Sequence, residues 1–107
     1  MIRPMISLAV ASWLLAGSMA VLAEGDAAAG RLKAETCLGC HAVEGYFNVY
    51  PTYRVPKLGG QGPAYIESAL KAYKTGARAH DTMHANAADL SDQDMADIAA
   101  YMASIGK

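Results

Sequence analysis

Both cysteines of this 107-residue chain lie with only two residues between them, in Cys37-Leu38-Gly39-Cys40-His41, with one of its three histidines directly behind them. No other thiol is available, so any cross-link or ligand site that uses sulfur is confined to one turn of chain. A disulfide across so small a loop constrains the unfolded state little. A thioredoxin-like pair belongs at the start of a helix that follows a strand, and no such pattern surrounds Cys37. A structural zinc ion takes four ligands. Cys37, Cys40 and His41 offer three, with the histidine too close behind the second thiol to wrap one tetrahedral ion.

The segments around the motif read as helical. Ala27 to Cys37 forms the first, with Asp26 placed to accept from the free amides of its first turn. Gly30 inside it costs about 1 kcal/mol relative to Ala, which suggests close approach by another helix. The second runs from Pro63 to Gly76, with proline and glycine at the ends that suit them. Its residues Tyr65, Ile66, Ala69, Leu70 and Tyr73 form one apolar stripe. The third runs from Asp92 to Ser104, where Ser91 and Asp94 approach a capping box. Asp92, Asp94 and Asp97 read as a solvated, well-capped helix start. Met95, Ile98, Ala99, Met102 and Ile105 recur at the helical period, with Tyr101 on their flank. No stretch alternates over a convincing strand length. Residues 42–62 therefore read as one long irregular loop marked by Gly45, Pro51, Pro56, Gly59, Gly60 and Gly62.

The N-terminus has a different character. Arg3, an apolar stretch from Ile6 to Leu15 and the small-residue context Val21-Leu22-Ala23 have the layout of a secretory signal. Ser7, Ser12, Gly17 and Ser18 dilute the apolar run below the roughly 20 residues a membrane span needs. Cleavage is expected after Ala23, with Ala20 as the second choice, giving a leader at 1–23 and one domain at 24–107 without a membrane span. The leader takes Trp13, the only tryptophan, and Arg3, so eight basic residues face ten acidic ones in what remains. No basic stripe exists for nucleic acid. So small a domain with one phenylalanine, Phe47, lacks the side chains for an ordinary core.

One chemistry answers both the motif and the missing core. C-x-x-C-H is the signature of c-type haem attachment. Two thiols one helical turn apart can add to the two vinyl groups of a porphyrin, and the adjacent imidazole can coordinate its iron. The ring then serves as covalently held core. Tyr46, Phe47, Tyr50 and Tyr53 in the long loop are candidates to pack at its edge. For the second axial ligand the chain offers Met83, in the loop-like HDTMHANAADL, with His80 and His84 as rivals; Met95 and Met102 belong to the helical stripe.

The chain resembles a class I c-type cytochrome over GDAAAGRLKAETCLGCH, VPKLGGQGPAYIESALKAYKTGARAHDTM and LSDQDMADIAAYMASI. It is most similar to small bacterial mono-haem cytochromes and to one half of their di-haem relatives. The resemblance implies an all-α cytochrome c fold, with three main helices and long loops around one covalently bound haem c. It implies that the first and last helices cross, with Gly30 and Tyr101 in contact. Pro56 would accept through its carbonyl from the His41 ring, Leu58 would pack on the haem, and Met83 would be the distal ligand. The segment between His41 and Pro56 is longer and richer in tyrosine than the resemblance suggests.

These readings lead to a periplasmic one-electron carrier with transient redox partner proteins, not an enzyme. Lys33, Lys57, Lys71 and Lys74 are candidates to guide an acidic partner. A haem-based ligand sensor or peroxidase-like enzyme with an open distal site stays as an alternative. So does a fixed subunit of an oxidoreductase complex.

Overall fold

The computed structural model describes residues 24–106; the expected leader at 1–23 lies outside the described residues. The element order is α1 (Ala27–Lys33), α2 (Glu35–His41), β1 (Phe47–Asn48), β2 (Tyr53–Arg54), α3 (Pro63–Thr75), α4 (Asp81–Ala87) and α5 (Asp92–Ser104). None of the described helices is long and apolar enough to cross a membrane.

The first expected helix continues four residues further than its periodicity indicated, to His41, and is divided at Ala34. Asp26 caps its start, its carboxylate accepting from the amides of Ala28 and Ala29. Ala34 is fully buried and its backbone departs from helical angles, with ψ at 0°, while its amide still donates to the Gly30 carbonyl and also reaches that of Leu32. The cysteine motif thus lies within a helix, α2, rather than beyond one. Helix α3 follows the expected bounds and ends at Gly76, whose φ of 83° is the left-handed conformation that glycine adopts without a Cβ clash. Helix α5 also matches expectation. Its capping box is complete: Ser91 accepts from the Asp94 amide and Asp94 from the Ser91 amide.

Two segments read as loops are ordered differently. Residues 47–54 form a short antiparallel hairpin, with Phe47 opposite Arg54 and Asn48 opposite Tyr53. A two-residue strand offers too little alternation to register in the sequence. Met83 lies in a helix, α4, not a loop. His80 caps it by accepting the Met83 amide on its ring nitrogen, a capping residue outside the usual Ser, Thr, Asp and Asn.

Helix α5 is the spine of the core. Met95, Ile98, Ala99 and Met102 are buried along one face and meet Ile66 and Leu70 of α3 and Ala34. Its N-terminal half crosses α1 so closely that backbones touch. A Cβ placed on Gly30 would lie 1.9 Å from the Asp97 carbonyl oxygen and 2.9 Å from the Tyr101 Cβ. The expected Gly30–Tyr101 contact is present, and the Asp97 backbone is nearer still. Gly25 makes the same approach to Ala96, at 2.0 Å for an added Cβ.

Asp97 is not the solvated dipole partner its position suggested. It is buried at 3 % exposure and joins α5 to α1. It accepts from the Asp26 amide at 2.8 Å, the Lys33 ammonium at 2.6 Å and the Gln93 side chain at 2.8 Å. These donors hold its carboxyl down to about 2, the Asp26 amide contributing most. Lys33 also pairs with Asp94 at 2.8 Å, which likewise holds that carboxyl down to about 2, and both acids raise the Lys33 pKa. Lys33 is therefore tied into the fold rather than free to guide a partner. Lys74 donates to the Leu90 carbonyl, and Lys71 lies 3.7 Å from Asp92.

Candidate functional site

Helix α2 displays Cys37 and Cys40 three residues apart, so both lie on one face. The two thiols are free, not joined as a disulfide. Both border a cavity of about 390 Å³, within the roughly 300–1,000 Å³ common for cofactor pockets. Burial pushes the Cys37 thiol above its ordinary value.

His41 ends α2 at the same cavity and is buried at 9 % exposure. Its Nδ1 lies 2.7 Å from the Pro56 carbonyl oxygen. A carbonyl only accepts, so Nδ1 carries the proton and Nε2 keeps its lone pair. The bond fixes the ring's tautomer and orientation, as outer partners do for metal-binding histidines.

The apolar stripe of α3 forms much of the wall: Tyr65, Ile66, Ala69, Leu70 and Tyr73 all line the cavity. Leu58 and Val55 line it from the segment after the hairpin. Helix α4 brings Met83, half-buried, to the same space. The structure thus brings Cys37, Cys40, His41, Pro56, Leu58 and Met83 together around one cavity, from segments spread over half the chain.

The rivals to Met83 separate. His84 is exposed and its Nδ1 lies 2.9 Å from the Tyr73 carbonyl, outside the cavity lining. His80 lines the cavity, but its Nδ1 is engaged by the Met83 amide. Of the four loop aromatics expected at the cavity, only Tyr53 lines it; Phe47 and Tyr50 are 51 % and 92 % exposed. Phe47 lies on the exposed side of β1 and Tyr50 in the turn that follows it, and without strand periodicity the sequence held no sign of either. Arg54, Arg78 and Thr82 also border the cavity, unnoticed in the sequence because nothing local marks them.

The donor set can be tested against a haem. Two free thiols at helical spacing, an imidazole with its lone pair preserved, and a largely apolar wall match a porphyrin's two vinyl groups, its iron and its faces. Two guanidinium groups at the cavity, Arg54 and Arg78, suit its carboxylates. The residues fit. Among the described residues, no cluster of three or more His, Cys, Asp or Glu is gathered to hold a bare metal ion. The fold and the cavity are those of a c-type haem protein of the helical, single-haem kind.

Comparison with known proteins gives the family. The family model described as cytochrome c matches residues 27–106. Cytochrome c-554(548) of Halomonas halodenitrificans is 47% identical over 83 residues, covering 75% of this chain and 96% of that protein. Cytochrome c4 of Pseudomonas aeruginosa is 46% identical over 82 residues, covering 77% of this chain but 39% of that protein. The crystal structure of reduced recombinant cytochrome c4 from Pseudomonas stutzeri superimposes with a TM-score of 0.59 at 28% identity, over 78% of this chain and 53% of that one. The chain belongs to the cytochrome c family. It spans nearly the whole length of one relative and about half or less of the cytochrome c4 chains. Its cofactor is covalent haem c and its function is electron transfer.

Proposed function

We propose that the chain is a periplasmic carrier of single electrons, exported by its residues 1–23, in which Cys37 and Cys40 form the thioether links. His41 is the proximal ligand through Nε2, and Met83 the distal ligand through its sulfur. When bound, the haem supplies a one-electron iron couple. The chain's residues decide how that couple behaves. The Pro56 carbonyl, by accepting the Nδ1 proton of His41, orients the ring and strengthens it as a donor. Leu58, Ile66, Ala69 and Leu70 exclude water from the ring faces. Arg54 and Arg78 offer donors to the two carboxylates, each guanidinium held over an aromatic ring, Phe47 and Tyr73. A thioether distal ligand raises the potential relative to two imidazoles.

Because His41 and Met83 would together hold the iron, no open site would remain on it for a substrate, and the carrier reading is favoured over a sensor or peroxidase. Partners meet it transiently, through a small interface near the cavity mouth. Of the four lysines first considered, Lys57 is exposed without an acidic neighbour among the described ion pairs.

The observation that carries the reading is the sharing of one cavity by Met83 and a His41 already tethered at Nδ1. The test is the oxidised and reduced spectrum of the periplasmic protein and of Met83→Ala. The wild type should show the weak far-red sulfur-to-iron band when oxidised and bind carbon monoxide slowly when reduced. Met83→Ala should lose the band. A band retained in that variant refutes the ligand assignment.

A further inference from the structure

We propose that Tyr53 is a positioning residue: from the hairpin it clasps the start of α4, and the clasp sets how readily the Met83 thioether leaves the cavity. The inference rests on the Met83 reading above. The Tyr53 hydroxyl donates to Thr82 Oγ1 at 3.0 Å, across 29 residues of sequence. Thr82 directly precedes Met83. The Tyr53 ring also meets the His80 ring edge-on, with centroids 4.6 Å apart and planes at 80°. His80 in turn accepts the Met83 amide at 3.3 Å. His80 also meets Tyr73 of α3 edge-on, with centroids 6.1 Å apart. The three rings border the cavity together with Thr82 and Met83.

Helix α4 needs such support. At seven residues it is far too short to be stable alone. From α3 it is held by packing and by the His84–Tyr73 contact at 2.9 Å. From the opposite end of its sequence surroundings, the hairpin holds it through Tyr53. Withdrawal of the Met83 sulfur moves the backbone at 82–83, and that movement breaks the Tyr53–Thr82 bond and slides His80 off the Tyr53 ring. The long, tyrosine-bearing insert after His41 thus acquires a role: it links the chain next to the proximal ligand with the helix that carries the distal one.

The test measures the rate at which imidazole replaces the distal ligand in the oxidised holoprotein, for wild type, Tyr53→Phe, Thr82→Val and the double variant. Loss of one neutral hydrogen bond should speed entry roughly two- to tenfold. The double variant should be no faster than the quicker single one, because both changes remove the same bond. Amide hydrogen exchange at His84 and Ala88 should quicken in Tyr53→Phe while that of α5 stays unchanged, which a general loss of stability would not produce. Wild-type entry rates in both single variants, or multiplicative effects in the double variant, overturn the clasp. Met83→Ala separates the two claims. If it keeps the far-red band, the ligand reading and the clasp fall together. If it loses the band while Tyr53→Phe and Thr82→Val behave as wild type, the clasp alone falls.

Discussion

Gly30→Ala tests the crossing on which the domain is built. The added Cβ would lie 1.9 Å from the Asp97 carbonyl oxygen, against the 3.4 Å at which ordinary contact begins. The obstacle is backbone, which cannot swing aside, so α1 and α5 must part by about 1.5 Å at the crossing, the difference between those distances. Overpacking of this kind costs up to about 3 kcal/mol. Alanine returns about 1 kcal/mol of helix propensity. The net loss is about 2 kcal/mol before any weakening of the Asp97 bonds to Asp26 and Lys33, which the separation also stretches. For a domain of this size that lowers the melting temperature by roughly 8–16 °C. Thermal unfolding of the haem-loaded protein, followed by far-ultraviolet circular dichroism, reads it directly. Gly39→Ala is the control: it sits exposed in α2, nothing lies within 4 Å of an added Cβ, and it gains the same propensity. Equal melting temperatures for the two variants would refute the close crossing.

Asp97 and Asp94, both held down to about 2 from an ordinary 3.8, contribute stability that is complete above about pH 5 and is lost as the pH falls from about 4 through 2. Urea midpoints between pH 7 and 2 should follow that limb, and Asp97→Asn should lower the midpoint at pH 7 and shrink the acid loss. Ile98→Ala, at a side chain 2 % exposed in the middle of the core, should cost about 2–5 kcal/mol in chemical denaturation. Cys37→Ser and Cys40→Ser should each leave one vinyl group unreacted, read as a red shift of the α band of the pyridine haemochrome. The double variant should release its haem into acidified acetone.

Much of the site was legible before any coordinates. The cysteine pair, His41 and the stripes of α3 and α5 are local patterns, written within a turn or two of chain, and the structure keeps each of them on the face its period indicated. Met83 was singled out from the chain's own supply of sulfur and imidazole ligands and supported by family likeness, whereas the bond from His41 to Pro56 was reached through family likeness alone, because no local rule joins residue 41 to residue 56. What escaped reading was short or non-local. The hairpin has two residues per strand, α4 is capped by a histidine, and Asp97 looks like any acid near the start of a helix. Phe47 and Tyr50 were expected inside and stand outside.

By itself the amino-acid sequence determined that this chain forms amphipathic helices around a group it must bind covalently, since spacing and side-chain chemistry act within one helical turn. Only the tertiary structure decided that Asp97 is buried, that Gly30 is a contact between backbones, and that Tyr53 reaches α4. Each of those depends on where a distant segment lies, and that is set when the whole chain closes on its core.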